Sequence, residues 1–339
     1  MSPHEERPSA QFVHLVFDSF ILSRAISVAA TLGIADDLKV EAKTADELAR
    51  AKGVHAGSLY RVLRALAGAG IFAEDSEARF HLTRLAEPLL SDAPESWRAF
   101  AMFLGSDWAY RAYGDLLYSV QTGRPAFDHV YGQSLFEYLS EHPDQAQIFN
   151  DAMTDTSKSS APAILDVYDF SGIRRLVDVG GGHGFLLASI LKAYPEMHGV
   201  LFDLPSVVKD APPVLAAHGA GGRCEYVGGD FLVSVPAGGD AYIMQSILHG
   251  SEDDQALQLL SNVHHAMQER GTLLSVEQVV PEGNEPSTSK FGNLHMMVFS
   301  PSHERSEGEY RSLFHRAGFD LTRVVPTASV FSIMEGTRI

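Results

Sequence analysis

The sequence predicts two domains. They are a mostly helical winged-helix domain over residues 1–165 and a doubly wound, Rossmann-like α/β domain over residues 166–339. Three observations support this prediction. The chain of 339 residues is too long for one comfortable hydrophobic core. Its first half shows apolar residues at helical spacing, and its second half shows short apolar runs that alternate with helical patterns.

The N-terminal half is predicted to be a succession of helices that includes a winged helix-turn-helix. Residues 12–38 form a long amphipathic stretch with apolar spacing of three to four. Thr44 and Glu47 match a capping box at the start of the next helix, and Gly53 ends that helix. The following helix has an apolar face made of Leu59, Val62, Leu63 and Leu66. Residues 73–83 then fit a short β-wing.

The C-terminal half has the pattern of a parallel sheet. Its near-continuous apolar runs are expected for strands that are buried on both faces. Ligands of doubly wound domains bind beyond the carboxyl ends of such strands, so polar residues at those ends are candidates for function. The five runs are RRLVDVG, HGVLFDL, RCEYVGGD, DAYIMQSIL and GTLLSVEQV.

Charge and composition exclude several classes of partner. The chain has 26 basic and 43 acidic residues and a net charge of −17, which argues against nucleic acid or an anionic membrane as a partner. No apolar run approaches the roughly 20 residues that span a bilayer, and MSPHEERPSA has no hydrophobic signal core. The single cysteine, Cys224, cannot form an intrachain disulfide. We therefore expect a cytoplasmic protein.

A glycine-rich turn follows the first predicted strand of the α/β domain, in LVDVGGGHGFLL. A dinucleotide fingerprint would need a third glycine at position 185 or 187, where Phe185 and Leu187 stand, and no P-loop lysine follows. The observed spacing is D-x-G-x-G-x-G, made by Asp178, Gly180, Gly182 and Gly184. It resembles the first motif of methyltransferases that depend on S-adenosyl-L-methionine (SAM). A glycine-rich turn of an unrelated α/β protein is the alternative.

Acidic residues end the next two predicted strands. Asp203, about 20 residues beyond the glycines, is well placed to accept hydrogen bonds from ribose hydroxyls. Asp230 could accept from an adenine amino group while Phe231 packs on the ring. The alternatives are a solvated loop aspartate for Asp203 and a simple cap of the following segment for Asp230.

Three residues of the α/β domain are candidates for chemistry. His249 follows the fourth strand on the expected cofactor side, where it can act as a general base near neutral pH. Ser251 and Asp254 fit a capping box that starts the next helix. Glu277 ends the fifth strand, and a carboxylate in an apolar run needs a partner such as an imidazole N–H. His249 could instead be structural, Glu277 could simply be exposed at the end of its strand, and Glu304 alone would be a surface charge.

Taken together, these motifs closely resemble the small-molecule O-methyltransferases, which include plant caffeate-type and bacterial antibiotic-tailoring enzymes. The glycine motif, LFDLP, GDF, DAYIMQSILH, VEQVVPEG and ERSEGEY occur in that family's order and cover nearly the whole chain. The resemblance implies a homodimer, SAM as cofactor with S-adenosyl-L-homocysteine (SAH) as product, and an aromatic secondary metabolite as methyl acceptor. It implies His249 as base, with Glu277 and Glu304 flanking and orienting it.

The resemblance also implies two sets of binding residues, and the residues themselves argue against a metal site. His264 and His265 point to different sides of a helix and have no ligand spacing. Methionines at helical spacing are more often core than pocket lining, which is the alternative for the methionines below. The implied cofactor-binding residues are Ser157, Asp178, Gly180, Gly182, Asp203, Leu204, Gly229, Asp230, Phe231 and Gln245. The implied acceptor-binding residues are Asn150, Met153, Asn293, Met296 and Met297.

Four positions depart from the family pattern. The family usually has aspartate and tryptophan after the histidine, where this chain has Gly250 and Ser251. It often has lysine and tryptophan where Gln245 and Ser246 stand. The altered loop leaves open a second reading, in which the protein binds SAM but catalyses a different reaction, such as a hydroxylation or a pericyclic step.

A third reading, from another functional class, is a DNA-binding regulator built on the winged helix. Its recognition-like helix GSLYRVLRALAGAG offers only Arg61 and Arg64 as basic residues, and the whole chain is acidic. The sequence therefore favours an enzyme over a regulator.

Overall fold

The computed structural model describes residues 8–339, which fold into two compact units. Unit 1 contains the described part of Met1–Tyr110 together with Gln147–Thr156. Unit 2 contains Arg111–Ala146 and Ser157–Ile339. This division differs from the predicted boundary at 165/166, because residues 111–146 pack with the α/β unit.

Unit 1 is mostly helical. A π-helical segment, His14–Asp18, joins its first two helices, and a 3₁₀ helix, Arg84–Leu89, follows its last strand. The elements are α1 (Pro8–Val13), α2 (Ser19–Leu32), α3 (Ile34–Leu38), β1 (Lys43–Thr44), α4 (Ala45–Lys52), α5 (Ala56–Gly68), β2 (Phe72–Glu74), β3 (Arg79–Leu82) and α6 (Arg98–Gly105). Helices α7 (Asp107–Gly114) and α11 (Pro143–Val167) have residues in both units.

The local features predicted for the winged helix are present. Thr44 accepts a hydrogen bond from the Glu47 amide and the Glu47 side chain accepts one from the Thr44 amide, so the capping box at the start of α4 is confirmed. Gly53 ends the helix in the left-handed conformation, with φ of 67°. Leu59, Leu63 and Leu66 of α5 are buried in the core of unit 1, and Val62 packs against it. The strands form an antiparallel sheet in the order β1-β3-β2, in which β2 and β3 make the wing.

The N-terminal helical segment carries an exposed apolar face. Residues Gln11–Leu32 form a helix that is long and apolar enough to cross a membrane by length and composition, although it lies near the N-terminus and is only 22% buried. The expectation that no apolar run approaches this length was therefore wrong. The length of this apolar helix was not evident from the sequence, because polar residues such as His14 and Asp18 interrupt its apolar residues. The exposed apolar side chains include Phe12, Val13, Leu15, Val16, Phe17, Phe20 and Ile21.

Unit 2 consists of a seven-stranded sheet with helices. Its strands are β4 (Arg175–Val179), β5 (His198–Asp203), β6 (Cys224–Gly228), β7 (Ala241–Gln245), β8 (Thr272–Glu277), β9 (Phe319–Pro326) and β10 (Ser332–Arg338). Its helices are α8 (Leu116–Thr122), α9 (Ala126–Tyr131), α10 (Leu135–Glu141), α12 (Phe185–Ala193), α13 (Pro205–Val208), α14 (Pro212–Ala217), α15 (Asp253–Ala266), α16 (Thr288–Phe299) and α17 (Glu307–Arg316).

The sheet order is β6-β5-β4-β7-β8-β10-β9, with strands β4 to β8 parallel and β10 antiparallel to both neighbours. Both faces are covered, since Leu176 lies in one core cluster while Val177 and Val179 lie in another. This double burial explains the near-continuous apolar runs and confirms the predicted doubly wound fold. The order reverses between β4 and β7, so the carboxyl ends of these strands flank the topological switch point.

One local prediction in this unit was wrong. Helix α15 begins at Asp253 with Glu252 as its N-cap, and no side chain caps it. Ser251 precedes the cap, and its carbonyl oxygen instead accepts hydrogen bonds from Ser302 and Arg305. Tertiary hydrogen bonds thus replace the local capping box that the sequence pattern predicted.

Candidate active site

The glycine-rich turn follows β4 at the switch point. Gly180, Gly182 and Gly184 have φ of 70°, 57° and 78°, a region that residues with a Cβ atom rarely adopt. The Gly180 amide donates a hydrogen bond to the Phe202 carbonyl at 2.8 Å. A Cβ at Gly180 would lie 2.4 Å from Cδ1 of Ile247, so the Ile247 side chain would have to move to accept a larger residue there.

Asp203, at the end of β5, is tied to the turn. Its Oδ2 accepts from the Gly182 amide at 2.7 Å, and its Oδ1 accepts from the Leu204 amide at 2.6 Å. Burial raises the pKa of Asp203, while these two amides oppose the rise. Each carboxylate oxygen retains a second lone pair, so the arrangement is compatible with the predicted ribose contacts.

Two buried acceptor atoms lie at the ends of adjacent parallel strands. Asp178 of β4 is buried, and neither its Oδ2 nor Oε1 of Gln245, at the end of β7, has a partner among the described residues. The Nε2 of Gln245 donates to Ser160 at 2.7 Å, and Ser160 in turn donates to the Ser157 carbonyl at 3.3 Å. Buried acceptors without donors are costly, so this end of the site fits a ligand that brings N–H donors, such as the amino group of SAM.

Burial also affects the ionisation of Asp178. It raises the pKa of this carboxyl to about 7, and the negative charge of Asp203 adds to the effect. A cationic or hydrogen-bond-donating ligand would offset this cost.

The residues after β6, Gly229 to Phe231, give weaker support for the predicted cofactor site than the glycine-rich turn does. Oδ1 of Asp230 accepts from the Leu232 amide at 2.8 Å, which is the capping arrangement considered as the alternative for this exposed residue. Phe231 is half-buried against the core, and its ring lies 3.8 Å from the Cβ position of Gly180. Gly229 packs against Phe202, where a Cβ would approach to 2.6 Å. The adenine contacts of Asp230 and Phe231 remain predictions.

His249 lies in a short 3₁₀ turn, Leu248–Gly250, just beyond β7. Its Nδ1 lies 2.8 Å from Oε1 of Glu304, with 19% of the imidazole and 1% of the carboxylate side chain exposed. With Nδ1–H donating to the carboxylate, Nε2 is the ring nitrogen that can accept a proton. The structure thus brings His249 and Glu304 together, although they are distant in sequence.

Glu277 supports the same turn from the end of β8. It is fully buried, and its Oε1 accepts from the amides of Ile247 and Leu248 at 3.0 and 2.8 Å. The predicted partner for this carboxylate was an imidazole N–H, but its hydrogen bonds come from these two backbone amides and, at 3.5 Å, from the Ser275 hydroxyl. Glu277 therefore holds the backbone that carries His249, whereas Glu304 holds the ring.

These charges determine the ionisation of the base. Burial alone would lower the pKa of His249, but its hydrogen bond to Glu304 and the charges of Glu304 and Glu277 raise it to about 9. Burial raises the pKa of Glu277 to about 7, an effect that the His249 charge opposes.

The side-chain N and O atoms of His249, Glu277 and Glu304 lie within 4.8 Å of one another, close enough to hold a metal ion by geometry. The hydrogen bonds provide a sufficient structural role for each residue without one.

Sequence reasoning missed a second support for the turn, the segment around Arg305. This residue is 1% exposed and donates to the carbonyls of Leu248 and Ser251 at 2.7 and 2.9 Å. It also pairs with Asp253 at 2.9 Å. In addition, Ser300 donates to the Gly250 carbonyl at 3.3 Å. The basic residue next to Glu304 in ERSEGEY was the only available signal.

The predicted acceptor-binding residues fall in different parts of the structure. Asn293 of α16 accepts from the Glu304 amide at 3.2 Å, so this helix passes beside the base. Met296 is 8% exposed and belongs to the buried residues, as the core alternative anticipated, while Met297 is half-buried. Asn150 and Met153 belong to unit 1, and their role at the site remains a prediction.

Family models match most of the chain. A model of the O-methyltransferase domain matches residues 113–320, and one of the O-methyltransferase dimerisation domain matches residues 15–92. Phenazine O-methyltransferase PhzM of Lysobacter antibioticus is 42% identical over 98% of this chain and 97% of its own length. Phenazine-1-carboxylate N-methyltransferase of Pseudomonas aeruginosa is 31% identical, and the match covers 89% of this chain and 90% of that protein's own length.

Solved structures agree with these matches. The LaPhzM crystal structure has a TM-score of 0.92 and 42% identity, covering 98% of this chain and 99% of that chain. NcsB1, an O-methyltransferase from neocarzinostatin biosynthesis, was solved with SAM and 2-hydroxy-5-methyl naphthoic acid. Its TM-score is 0.79 at 30% identity, and the match covers both chains completely.

Proposed function

The chain belongs to the O-methyltransferase family and depends on SAM, and on that premise we propose that it methylates a phenolic hydroxyl of an aromatic secondary metabolite. The observation that carries this proposal is the hydrogen bond between His249 and Glu304. It leaves a half-buried, oriented imidazole nitrogen just beyond the carboxyl end of β7, the strand that pairs with β4.

The cofactor site is supported by the residues around that turn. Gly180 and Gly182 leave the turn without side chains, the Asp203 carboxylate has lone pairs that can accept from ribose hydroxyls, and the unpaired oxygens of Asp178 and Gln245 suit the amino acid end. When bound, SAM supplies an electrophilic methyl group on a positively charged sulfur. The protein therefore has to hold the acceptor oxygen and remove its proton.

In the proposed reaction His249 performs the proton transfer. Its Nε2 takes the hydroxyl proton as the oxygen forms its bond to the methyl carbon and the carbon–sulfur bond breaks. The imidazolium that results is stabilised by Glu304 through Nδ1–H, while Glu277 and Arg305 fix the turn. General base catalysis of this kind contributes roughly 10² to 10⁴ in rate.

The presence of a general base favours oxygen over nitrogen as the acceptor atom. A phenol has a pKa near 10, so its oxygen becomes a strong nucleophile only as the proton leaves. An aromatic amine carries a free lone pair at neutral pH and needs no base before attack. The known N-methyltransferase relative makes the distinction worth testing directly.

We also propose that the protein is a cytoplasmic homodimer. The dimerisation-domain match includes most of the helical segment whose apolar side chains are exposed in the single chain. Phe17, Phe20 and Ile21 lie in that segment, and a second copy would remove them from water. Sedimentation of the purified protein should give twice the chain mass, and Phe17→Asp should shift it toward monomer.

The proposed reaction is tested with a matched pair of acceptors. We would incubate the protein and SAM with 1-hydroxyphenazine or 1-aminophenazine, together with a panel of other phenols, and measure methyl incorporation and SAH by mass spectrometry. Methylation of phenols but not of the amine is expected. Methylation of the amine alone would contradict the choice of oxygen. SAM binding without methyl transfer to any acceptor would favour the reading in which another reaction is catalysed.

A further inference from the structure

The turn that carries the base brings together three side chains of the kinds that bind metal ions. His249 lies in the 3₁₀ turn beyond β7, Glu277 ends β8, and Glu304 lies just before α17. One side-chain nitrogen or oxygen of each residue lies within 4.8 Å of the other two. Because the three residues come from separate segments of unit 2, the chain shows none of the short ligand spacings that mark a metal site in a sequence.

Each of the two glutamates has a carboxylate oxygen without a hydrogen bond. Glu277 is 0% exposed and Glu304 is 2% exposed. Oε1 of Glu277 accepts from backbone amides, and Oε1 of Glu304 lies beside Nδ1 of His249. The Oε2 atom of either residue has no partner in the part of the chain that the structure describes. Buried acceptors without donors are costly, so this pair points to a ligand that supplies positive charge or hydrogen-bond donors.

The charges of the cluster favour a cation as that ligand. Arg305 follows Glu304 in the sequence, but its guanidinium donates to two backbone carbonyls of the turn and pairs with Asp253. The cluster can therefore carry two negative charges on Glu277 and Glu304 and at most one positive charge on His249. A bound cation would balance the remaining negative charge in a buried position, where such an interaction is strong.

The chemistry of the three side chains indicates which cation fits. Zn²⁺ binds imidazole nitrogen together with carboxylate oxygen, whereas Mg²⁺ and Ca²⁺ prefer sites made of oxygen atoms alone. Zinc bonds of about 2.1 Å at tetrahedral angles place the ligand atoms about 3.4 Å apart. Nδ1 of His249 lies 2.8 Å from Oε1 of Glu304, and the cluster extends to 4.8 Å. These distances bracket the zinc value, so small rotations of the side chains can produce it.

We propose that His249, Glu277 and Glu304 form a Zn²⁺ site and that the bound ion blocks the base. The ion binds one ring nitrogen and one oxygen of each carboxylate, and its fourth position is open to water. The zinc site is inferred from the geometry of the three residues, while its inhibitory effect rests on the methyl transfer proposed above.

The inhibitory effect follows from the two nitrogens of the imidazole ring. At Nδ1, Zn²⁺ takes the place of the hydrogen that His249 donates to Glu304. The neutral ring then carries its one hydrogen on Nε2, which has no lone pair left to accept the hydroxyl proton of an acceptor. At Nε2, the ion would occupy that lone pair directly. In both arrangements, proton transfer stops.

Zinc binding can be measured without turnover. Zn²⁺ would be titrated into chelator-treated, SAH-loaded protein in competition with a chromophoric chelator. The native protein should bind one Zn²⁺ per chain more tightly than its exposed histidines do. His249→Ala and Glu277→Gln should each weaken this site by about tenfold or more. SAH affinity and melting temperature, measured on every variant, report whether the fold is intact.

Two histidine–carboxylate pairs elsewhere in the chain provide matched controls. Nε2 of His81 lies 2.8 Å from Oδ2 of Asp75, and Nδ1 of His129 lies 2.6 Å from Oδ2 of Asp115. Neither pair belongs to a group of three such ligands within the described residues. His81→Ala and His129→Ala should therefore leave the tight zinc site unchanged.

The effect on catalysis is measured with a phenol that the native protein methylates. Saturating the site with Zn²⁺ should lower the rate of methyl transfer by roughly 100-fold or more, since the contribution of the base is lost. Addition of a chelator should restore the rate. SAH affinity should be the same with and without Zn²⁺, because the ion binds at the base and not in the glycine-rich turn.

The outcomes are distinct. A titration that His249→Ala and Glu277→Gln do not change would show adventitious binding to surface histidines only and would overturn the site. Tight binding of Zn²⁺ that leaves methyl transfer at its full rate would overturn the inhibitory effect. In either case, methylation of a phenol by the chelator-treated protein would leave the proposed methyl transfer standing. The titration decides the zinc site even if no phenol is methylated.

Discussion

The Nδ1 atom of His249 lies 2.8 Å from Oε1 of Glu304, and this contact fixes which ring nitrogen can act as base. Glu304 also shares in the electrostatics that raise the pKa of His249 to about 9. The pair therefore affects both the orientation and the basicity of the imidazole, and each effect can be measured.

Glu304→Gln should lower the pKa of His249, because the carboxylate favours the protonated ring. The neutral form is the active base, so the rise of kcat/KM with pH should move by one unit or more toward lower pH. The plateau of kcat/KM at high pH should fall as well, because the imidazolium that forms during the reaction loses the Glu304 carboxylate that stabilises it. Glu307→Gln, which changes an exposed glutamate paired with Arg311, is the matched control. An unchanged profile in Glu304→Gln would exclude this residue from tuning the base.

Arg305→Lys should disorder the turn that carries His249. A lysine cannot bond the carbonyls of Leu248 and Ser251 and the carboxylate of Asp253 with the geometry of a guanidinium. We expect kcat to fall by about tenfold or more, with SAM affinity changed by less than twofold. Arg311→Lys, at an exposed site, is the control. Equal losses of kcat and SAM affinity would indicate a general effect on the fold.

Gly180→Ala should abolish or strongly weaken cofactor binding. The added Cβ meets Ile247 at 2.4 Å and is strained by a φ of 70°. Gly238→Ala is the matched control, since its φ is 84° but no atom lies within 4 Å of the new Cβ. Calorimetric titration with SAH should show a loss of at least tenfold in affinity for Gly180→Ala only. Similar losses of SAH affinity in both variants would indicate that backbone strain, and not the contact with Ile247, causes the effect.

Asp178→Asn should stabilise the protein at alkaline pH. The pKa of this carboxyl is raised from 3.8 to about 7 in the folded protein, so ionisation above pH 7 disfavours the folded state. Ionisation of Asp178 therefore lowers the free energy of unfolding of the native protein as the pH rises from 4 to 7. The asparagine variant cannot ionise at this position and does not lose this stability. Denaturant unfolding at pH 8 should show a gain on the order of a few kcal/mol, and little gain at pH 4. A variant less stable at pH 8 would contradict this assignment.

The fold was predictable because its patterns are local or periodic. The capping box at Thr44, the turn at Gly53 and the buried runs of the sheet each follow from neighbouring residues. The resemblance indicated His249, Glu277 and Glu304. Their actual partners depend on tertiary contacts, and the sequence could not show that Glu277 binds backbone amides rather than the imidazole.

The misses have the same physical origin. Ser251 was expected to cap a helix, but its carbonyl is bonded by Arg305, which lies 54 residues away. The hydrogen bond between the side chains of Tyr113 in α7 and His295 in α16 likewise joins residues 182 positions apart. Such contacts leave no periodic signal in the chain.

The most direct test of His249 as the base compares single-turnover methyl transfer by the native protein and His249→Ala. Both would be saturated with SAM and an acceptor that the native protein methylates, and methylated product would be quantified by mass spectrometry. We predict a loss of roughly 10² or more in rate for His249→Ala, with SAM affinity within twofold of native. A variant that transfers the methyl group at the native rate would contradict the role of His249 as base.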